Sequence, residues 1–285
     1  MKKQGMVFGV LLIAAGNASA QELMYGVTNT QTLVTWNSSA PTAILSGLAI
    51  SGLQSNETVR GIDFRPSTGE LFALGSFNNL YTLNTSTGAA SLVGAGGFSQ
   101  GLNGSAFGFD FNPTIDRLRV VSDVNQNLVL NPNDGTSTMA TSLFYGAGDP
   151  NFGVDPNVVD SAYTNSFGGA TSTQLYGIDT GLDTLVTQAN SAGTLGTVGP
   201  LGVNITTTGG FDISGASGIA YLVGLGATSA ASHLMTIDLT TGAATDLGEI
   251  GGGMVITSMA VIPAPGSIAL IGVGTLVLAR RNRTR

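Results

Sequence analysis

A four-part unit recurs along this chain, and its clearest copy runs from residue 61 to residue 94. This copy has four runs of strand-forming residues (GIDF, LFAL, LYTLN and AASLV), separated by turn-forming residues. Short strands joined by tight turns predict an antiparallel meander. The next copy repeats four anchors at one offset of 47 residues: Gly61 and Gly108, Asp63 and Asp110, Pro66 and Pro113, Asn84 and Asn131. A four-strand unit that repeats every ~40–50 residues is typical of a β-propeller blade.

The rest of the body supplies three more units. One begins at GVDP, near Gly153, where we expect residues 175–179 to be the third strand and residues 183–203 to be an insertion; another begins at Gly210. The opening unit has only three strands, and residues 258–263 overlay residues 61–66, the strand that it lacks. We therefore predict an all-β, five-bladed β-propeller over residues 21–263. Pairing of the C-terminal strand with the N-terminal blade would close it and leave no open edge between the first and last blades.

Composition excludes several kinds of site. The chain has no cysteine and one histidine, His233, so it has no disulfide framework, thiol nucleophile or multi-histidine zinc site. A single histidine and the absence of a G-x-S-x-G segment argue against a Ser-His-Asp hydrolase. Six of the ten basic residues lie in the two tails, whereas all seventeen acidic residues lie between Glu22 and Glu249. The body has no basic patch for phosphates, so we expect no binding of nucleic acid.

Residues 1–20 have the three parts of a secretory signal peptide. Lys2 and Lys3 are followed by an apolar run, which predicts a short N-terminal helix, and Ala18 and Ala20 form a small-residue cleavage site. Signal peptidase is therefore an expected partner, and we expect the protein to be exported.

Residues 264–285 form a tail of a different kind. The uncharged apolar run 267–279 has 13 residues and precedes a cluster that includes Arg280 and Arg281. A full bilayer span needs about 20 residues, so we predict a short helix that is only transiently in the membrane. The arginines would keep its end on the cytoplasmic side of the inner membrane.

Two resemblances follow from these segments. The tail resembles a PEP-CTERM sorting signal: a Pro-x-Pro motif (Pro263, Ala264, Pro265, Gly266), a short helix and an arginine cluster. The resemblance implies that an exosortase-type transpeptidase cuts near the motif and passes the body to the cell surface or extracellular matrix. Ala264 and Gly266 depart from the usual Glu and the common Ser of that signal.

The body itself carries the second resemblance. Its segments MYGVTNTQTLVTW, VRGIDFRPSTGELFALG, FGFDFNPTIDRLRVVSD and TLGTVGPLGV are similar to those of an uncharacterised family of secreted bacterial domains of unknown function. That resemblance implies no known activity.

The most suggestive set of side chains is one aspartate in the first strand of each of four units: Asp63, Asp110, Asp155 and Asp212. Ala260 takes the fifth place. The first strand of a blade is innermost, so we expect these carboxylates to surround the central channel. Three interpretations stay open: hydrogen bonding within the repeat, a Ca²⁺ site of hard oxygen ligands, and acid/base chemistry on glycosides.

The sequence thus predicts a secreted, surface- or matrix-associated, non-catalytic protein that binds a glycan or another protein. The alternative is an extracellular polysaccharide hydrolase or lyase that uses the channel carboxylates. Arg117 and Arg119 alternate on one face of a strand, and we expect them to pair with acids such as Asp116.

Overall fold

The computed structural model describes residues 21–226 and 229–263. Within them the chain forms 21 β-strands and one 3₁₀ turn, Asn190–Ala192, and the strands make five sheets. The predicted all-β, five-bladed propeller is confirmed. The predicted signal peptide (1–20) and sorting tail (264–285), with the terminal helices expected there, lie outside the described residues. In the described part, no helix has the length and apolar character needed to cross a bilayer.

Each sheet is one blade. The first contains β1 (Leu23–Thr28), β2 (Thr32–Asn37), β3 (Ala40–Ala49) and β21 (Ile256–Val261). The second contains β4 (Val59–Phe64), β5 (Leu71–Gly75), β6 (Leu80–Leu83) and β7 (Ala90–Leu92). The third contains β8 (Phe107–Asn112), β9 (Arg117–Ser122), β10 (Asn127–Leu130) and β11 (Ser137–Met139). The fourth contains β12 (Phe144–Tyr145), β13 (Val158–Tyr163), β14 (Leu175–Asp179), β15 (Thr184–Gln188) and β16 (Thr194–Pro200). The fifth contains β17 (Ile205–Ile213), β18 (Ala220–Gly226), β19 (His233–Ile237) and β20 (Ala244–Glu249).

Five inner strands surround the central axis. In order around the ring they are β21, β4, β8, β13 and β17, and each packs against the inner strands on both sides. The blades are antiparallel meanders, apart from β12, which pairs in parallel with β16 at the outer edge of the fourth blade. In the first blade the inner strand comes from the end of the described chain, because β21 pairs with β1 in the register Met24↔Val261 and Tyr25↔Ala260.

The apolar core lies between blades, because both faces of each blade pack on a neighbour. Between the second and third blades, Phe72 meets Phe111 edge-on with 5.2 Å between the ring centroids. Between the first and fifth blades, Trp36 is completely buried in a cluster with Tyr221. This packing fixes the positions of the inner strands, and therefore of every side chain that they carry.

The fourth blade differs from the sequence-based assignment. GVDP (153–156) lies in the loop before β13, and the inner strand is Val158–Tyr163. Residues 175–179 form the second strand rather than the third, and residues 183–203, predicted to be an insertion, contain the third and fourth strands. Asp179 caused the error because it resembles the polar residue that ends a third strand elsewhere. Here its Oδ1 accepts the backbone N–H of Gly181, 2.9 Å away, in the turn after the second strand.

Candidate functional site

Three of the four predicted aspartates meet at the centre of the ring. One carboxylate oxygen from each of Asp63, Asp110 and Asp212 lies within 4.8 Å of the others. The three residues are only 2%, 2% and 3% exposed, respectively. They occupy equivalent positions on β4, β8 and β17, so the repeat itself brings them together. We call this group the inner aspartate cluster.

The inner aspartate cluster links neighbouring blades through the backbone. Asp110 Oδ1 accepts the N–H of Tyr163 on β13, at 3.0 Å. Asp212 Oδ2 accepts the N–H of Val261 on β21, at 2.6 Å. The hydroxyl of Ser258 makes a comparable link, because its Oγ accepts the N–H of Ile62 at 2.7 Å. Each carboxylate thus satisfies a buried donor that belongs to the next blade.

Asp155 does not belong to this cluster, and its predicted place on an inner strand is wrong. It is exposed in the loop before β13, where its Oδ1 accepts a hydrogen bond from Asn125 Nδ2 at 2.7 Å. The equivalent inner position is Ala162, since Tyr163 donates to Asp110 as Val261 donates to Asp212. Gly-x-Asp occurs in the loop sequence by coincidence, which is why the repeat misled the alignment.

Burial raises the pKa of every carboxyl in the cluster, and the charge of a neighbouring carboxylate adds to the effect of burial. Burial raises the pKa of Asp63 well above its ordinary value, and the charge of Asp212 raises it further. Burial, then the charges of Asp63 and Asp212, raise the pKa of Asp110 well above its ordinary value. Burial raises the pKa of Asp212 to about 7, despite two backbone hydrogen bonds that lower it. The cluster therefore retains protons near neutral pH.

The cluster fits a calcium ion only in part. Carboxylate oxygens are hard ligands of the kind that Ca²⁺ takes, but Ca²⁺ takes about six to eight of them. The cluster offers three ligand residues, and each of their carboxylates already accepts a backbone N–H. The calcium site of the sequence analysis stays a prediction, now with Asp63, Asp110 and Asp212 as its ligand residues.

Glycine two residues before each aspartate allows the inner strands to approach closely. A Cβ at Gly108 would lie 2.5 Å from the backbone nitrogen of Ser161 on β13. A Cβ at Gly210 would lie 2.4 Å from the backbone nitrogen of Met259 on β21. The repeated Gly-x-Asp motif therefore has two linked roles: the glycine permits the contact, and the aspartate makes the hydrogen bond across it.

A pocket of about 360 Å³ opens at the N-terminal ends of the inner strands, and we call it the mouth pocket. Its wall includes polar side chains from Asn29, Gln31, Thr58, Arg60, Ser105 and Asp160, and apolar ones from Phe107, Leu225, Val255 and Ile256. Further in, between Gly61, Phe109 and Phe211, the space is reduced to about 10 Å³. That is room for about one water molecule.

Sequence reasoning missed Arg60 and Asp160, the two charged residues of the mouth pocket. A signal was available for Arg60, because it stands where the next copy of the repeat has Phe107. It is the one exposed residue of β4. Asp160 was missed because the inner strand of the fourth blade was placed too early in the chain.

The prediction that Arg119 pairs with an acid is wrong. Its buried guanidinium donates to Asn127 Oδ1 at 2.7 Å and to the hydroxyl of Tyr163 at 3.3 Å. Asp116 instead forms an ion pair with Arg65 of the second blade, which lowers the pKa of that carboxyl. Arg117 donates to the backbone carbonyl of Asp116.

Comparison with known proteins gives a family and a fold. The model of a family described as a domain of unknown function (DUF4394) matches residues 17–260. No curated protein matches the chain. A chain in a crystal structure of a nidogen/laminin complex superposes with a TM-score of 0.51 at 9% identity, covering 85% of this chain and 98% of that chain. A protein of unknown function from Bacteroides thetaiotaomicron VPI-5482 gives a TM-score of 0.48 at 13% identity; the match covers 80% of this chain and 58% of that one.

Proposed function

Because the chain belongs to the DUF4394 family, whose description assigns no function, we propose one from the site: a non-catalytic protein that binds a polar ligand, such as a unit of a glycan. The observation that carries this proposal is the mouth pocket. Its volume of about 360 Å³ falls within the range of roughly 300–1,000 Å³ for small-molecule sites. Amide, hydroxyl and charged groups beside apolar side chains suit a ligand with both hydroxyl groups and an apolar ring face.

The inner aspartate cluster favours binding over hydrolysis. A glycosidase needs two carboxyl groups that reach the glycosidic oxygen and the anomeric carbon from opposite sides. Here the carboxylates are almost fully buried and accept backbone N–H groups from neighbouring blades. The narrow space beneath the mouth pocket also gives a sugar no path toward them. The alternative, a polysaccharide hydrolase or lyase, has less support.

We also propose that the pairing of β21 with β1 closes the ring. The inner strands pack in a complete circle, and the pairing puts the last described strand at the centre of the first blade. A closed ring would leave β1 without an exposed inner edge, which is the edge most prone to pair with another chain.

Export and surface delivery are proposed from the sequence signals at residues 1–20 and 264–285. Cell fractionation of the intact chain and of a chain that lacks residues 264–285 tests this. We expect to find the intact chain on the cell surface or in the matrix. We expect the shortened chain to have a different distribution among the cell fractions and the medium. Identical distributions would contradict a role for the tail in sorting.

The test of binding is to screen the full chain against an array of bacterial and plant glycans, and then to block the mouth pocket. Ala106→Trp places a bulky ring in the wall of that pocket. Ala95→Trp is the matched control, because it makes the same change in a separate pocket of about 220 Å³. We expect Ala106→Trp alone to abolish binding while both variants keep the melting temperature of the parent. Equal binding by the two variants would overturn the proposal.

A further inference from the structure

Arg60 differs from the other arginines of the described chain. Arg65, Arg117 and Arg119 all donate hydrogen bonds to protein oxygens: those of Asp116 and Asn133, the Asp116 carbonyl, and those of Asn127, Tyr163 and Ser191, respectively. Among the described residues, the guanidinium of Arg60 makes no ion pair within 4 Å and no hydrogen bond. Of the arginines in the described chain, Arg60 alone lines the mouth pocket.

In this chain, an arginine whose N–H donors are all available indicates a place where an anionic ligand could bind. Between residues 21 and 263 there are four basic residues and seventeen acidic ones, so carboxylates are plentiful. Arg60 nevertheless projects from an inner strand into a pocket, where the equivalent side chain of the next blade is Phe107. Five N–H donors that lie in one plane match the two oxygens of a carboxylate.

The charge of the pocket narrows the class of anion. Arg60 supplies one positive charge, and Asp160 lies in the same wall. With the formal charges of Arg60 and Asp160 balanced, a doubly charged phosphate would add excess negative charge to a body that is already acidic. One planar carboxylate matches one guanidinium in both charge and shape.

We propose that the ligand of the mouth pocket carries a carboxylate, which Arg60 binds, and that it belongs to the class of acidic glycans built from uronic acids. This inference rests on the proposed function and names the ligand class for the same pocket. Hydroxyl groups of the sugar face the polar side chains of Asn29 and Ser105, and the ring packs near Phe107.

The test compares a ligand that has ionised carboxyl groups with the same ligand after those groups are esterified. Oligogalacturonate and its methyl ester share one backbone, and the ester lacks the negative charges. Using calorimetric titration of the full chain at low salt, we expect the acid to bind at least about ten-fold more tightly than the ester. Arg60→Gln should remove this difference in affinity. Arg60→Lys should keep part of it, because lysine retains the positive charge but not the planar pair of donors.

Arg117→Gln is the control, because it makes the same change of charge outside the mouth pocket. It should bind both ligands as the parent does. If Arg60→Gln fails to fold, as judged by circular dichroism, the comparison of acid and ester on the parent chain still decides the question.

Three outcomes would overturn the inference. If the ester binds as tightly as the acid, the carboxylate is not recognised, while the proposed glycan binding stands. If oligoglutamate binds as tightly as oligogalacturonate and depends on Arg60, the carboxylate is recognised but the glycan class is wrong. If no glycan binds at all, the inference and the proposed function both fail.

Discussion

Asp63, on the inner strand of the second blade, accepts a hydrogen bond from the backbone N–H of Phe111 on the inner strand of the third blade, with 2.7 Å between the nitrogen and Oδ2. Its Oδ1 accepts the N–H of Phe64 at the same distance. One buried side chain therefore satisfies two buried backbone donors, one of them in a different blade.

We expect Asp63→Ala to lower the free energy of unfolding by about 1–3 kcal/mol, because it removes the acceptor of two buried N–H groups. Asp63→Asn retains an acceptor oxygen of nearly the same shape and should cost less. Urea denaturation followed by circular dichroism measures both. Asp155→Ala, in an exposed loop, is the control and should change stability by no more than about 0.5 kcal/mol. Equal effects of the two alanine variants would contradict the linking role of Asp63.

The raised pKa values of the inner aspartate cluster predict that stability depends on pH. For Asp212 the pKa rises from 3.8 to about 7 on folding, so the folded protein binds protons that the unfolded chain has lost. Its contribution is complete below the unfolded value, falls as pH rises between the two values, and stays low above the folded one. The free energy of unfolding should therefore fall between about pH 5 and pH 8, by an amount of the order of a few kcal/mol.

Asp212→Asn is the diagnostic variant for this prediction, because an amide cannot ionise in this range. The free energy of unfolding of this variant, relative to that of the parent, should be higher at about pH 8 than at about pH 5. The charge of Glu22 also acts on Asp212, so a Glu22→Gln variant shows how much of the slope that neighbour contributes. A parent protein whose stability rises with pH across this range, with the same slope in Asp212→Asn, would contradict the assignment.

The sequence predicted the blades well and the fourth inner strand poorly, for one reason. Where Gly-x-Asp lies on an inner strand, as at Gly108 and Asp110, the motif marks both a close approach and a hydrogen bond across it. In the fourth blade Asp160 replaces the glycine and Ala162 replaces the aspartate, so the pattern is absent from the true strand. The Gly-x-Asp pattern also occurs at Gly153, in a loop. A Cβ added there would have no atom within 4 Å outside its immediate neighbours.

The mouth pocket could not have been predicted in the same way. Its wall comes largely from equivalent strand-end positions at which the blades carry different residues, as Arg60, Phe107 and Thr257 do. Repeats predict what successive blades share. A binding site in a repeat protein depends on what they do not share, and Arg60 is one such exception.

Close packing of the inner strands predicts the effect of adding one methyl group. Gly108→Ala would place its Cβ 2.5 Å from the backbone nitrogen of Ser161, so one of the two strands must move. We expect a loss of about 1–3 kcal/mol in the free energy of unfolding. Gly47→Ala is the control, because its Cβ would meet side-chain atoms at 3.7 Å and 3.8 Å, which is ordinary contact. If both substitutions prove neutral in thermal and urea denaturation, the inner strands are not packed as tightly as described.

The last prediction concerns the pairing of β21 with β1. Ile262 N–H bonds to the carbonyl of Leu23, and N–H directions alternate along a strand, so the N–H of Ala260 also faces β1. Ala260→Pro removes that donor from a buried central strand and should destabilise the protein by about 3 kcal/mol or more. Because it loosens the inner edge of the first blade, it should also produce oligomers in size-exclusion chromatography.

Leu45→Pro provides the matched control for this substitution. The register Thr35↔Ser46 and Trp36↔Ile44 leaves Leu45 as the extra residue of a bulge on the outermost strand of the same blade. Proline is tolerated at such edge positions, so this variant should stay monomeric and close to the parent in stability. If Ala260→Pro behaves like Leu45→Pro, the first blade does not need its inner strand, and the proposed closure of the ring is wrong.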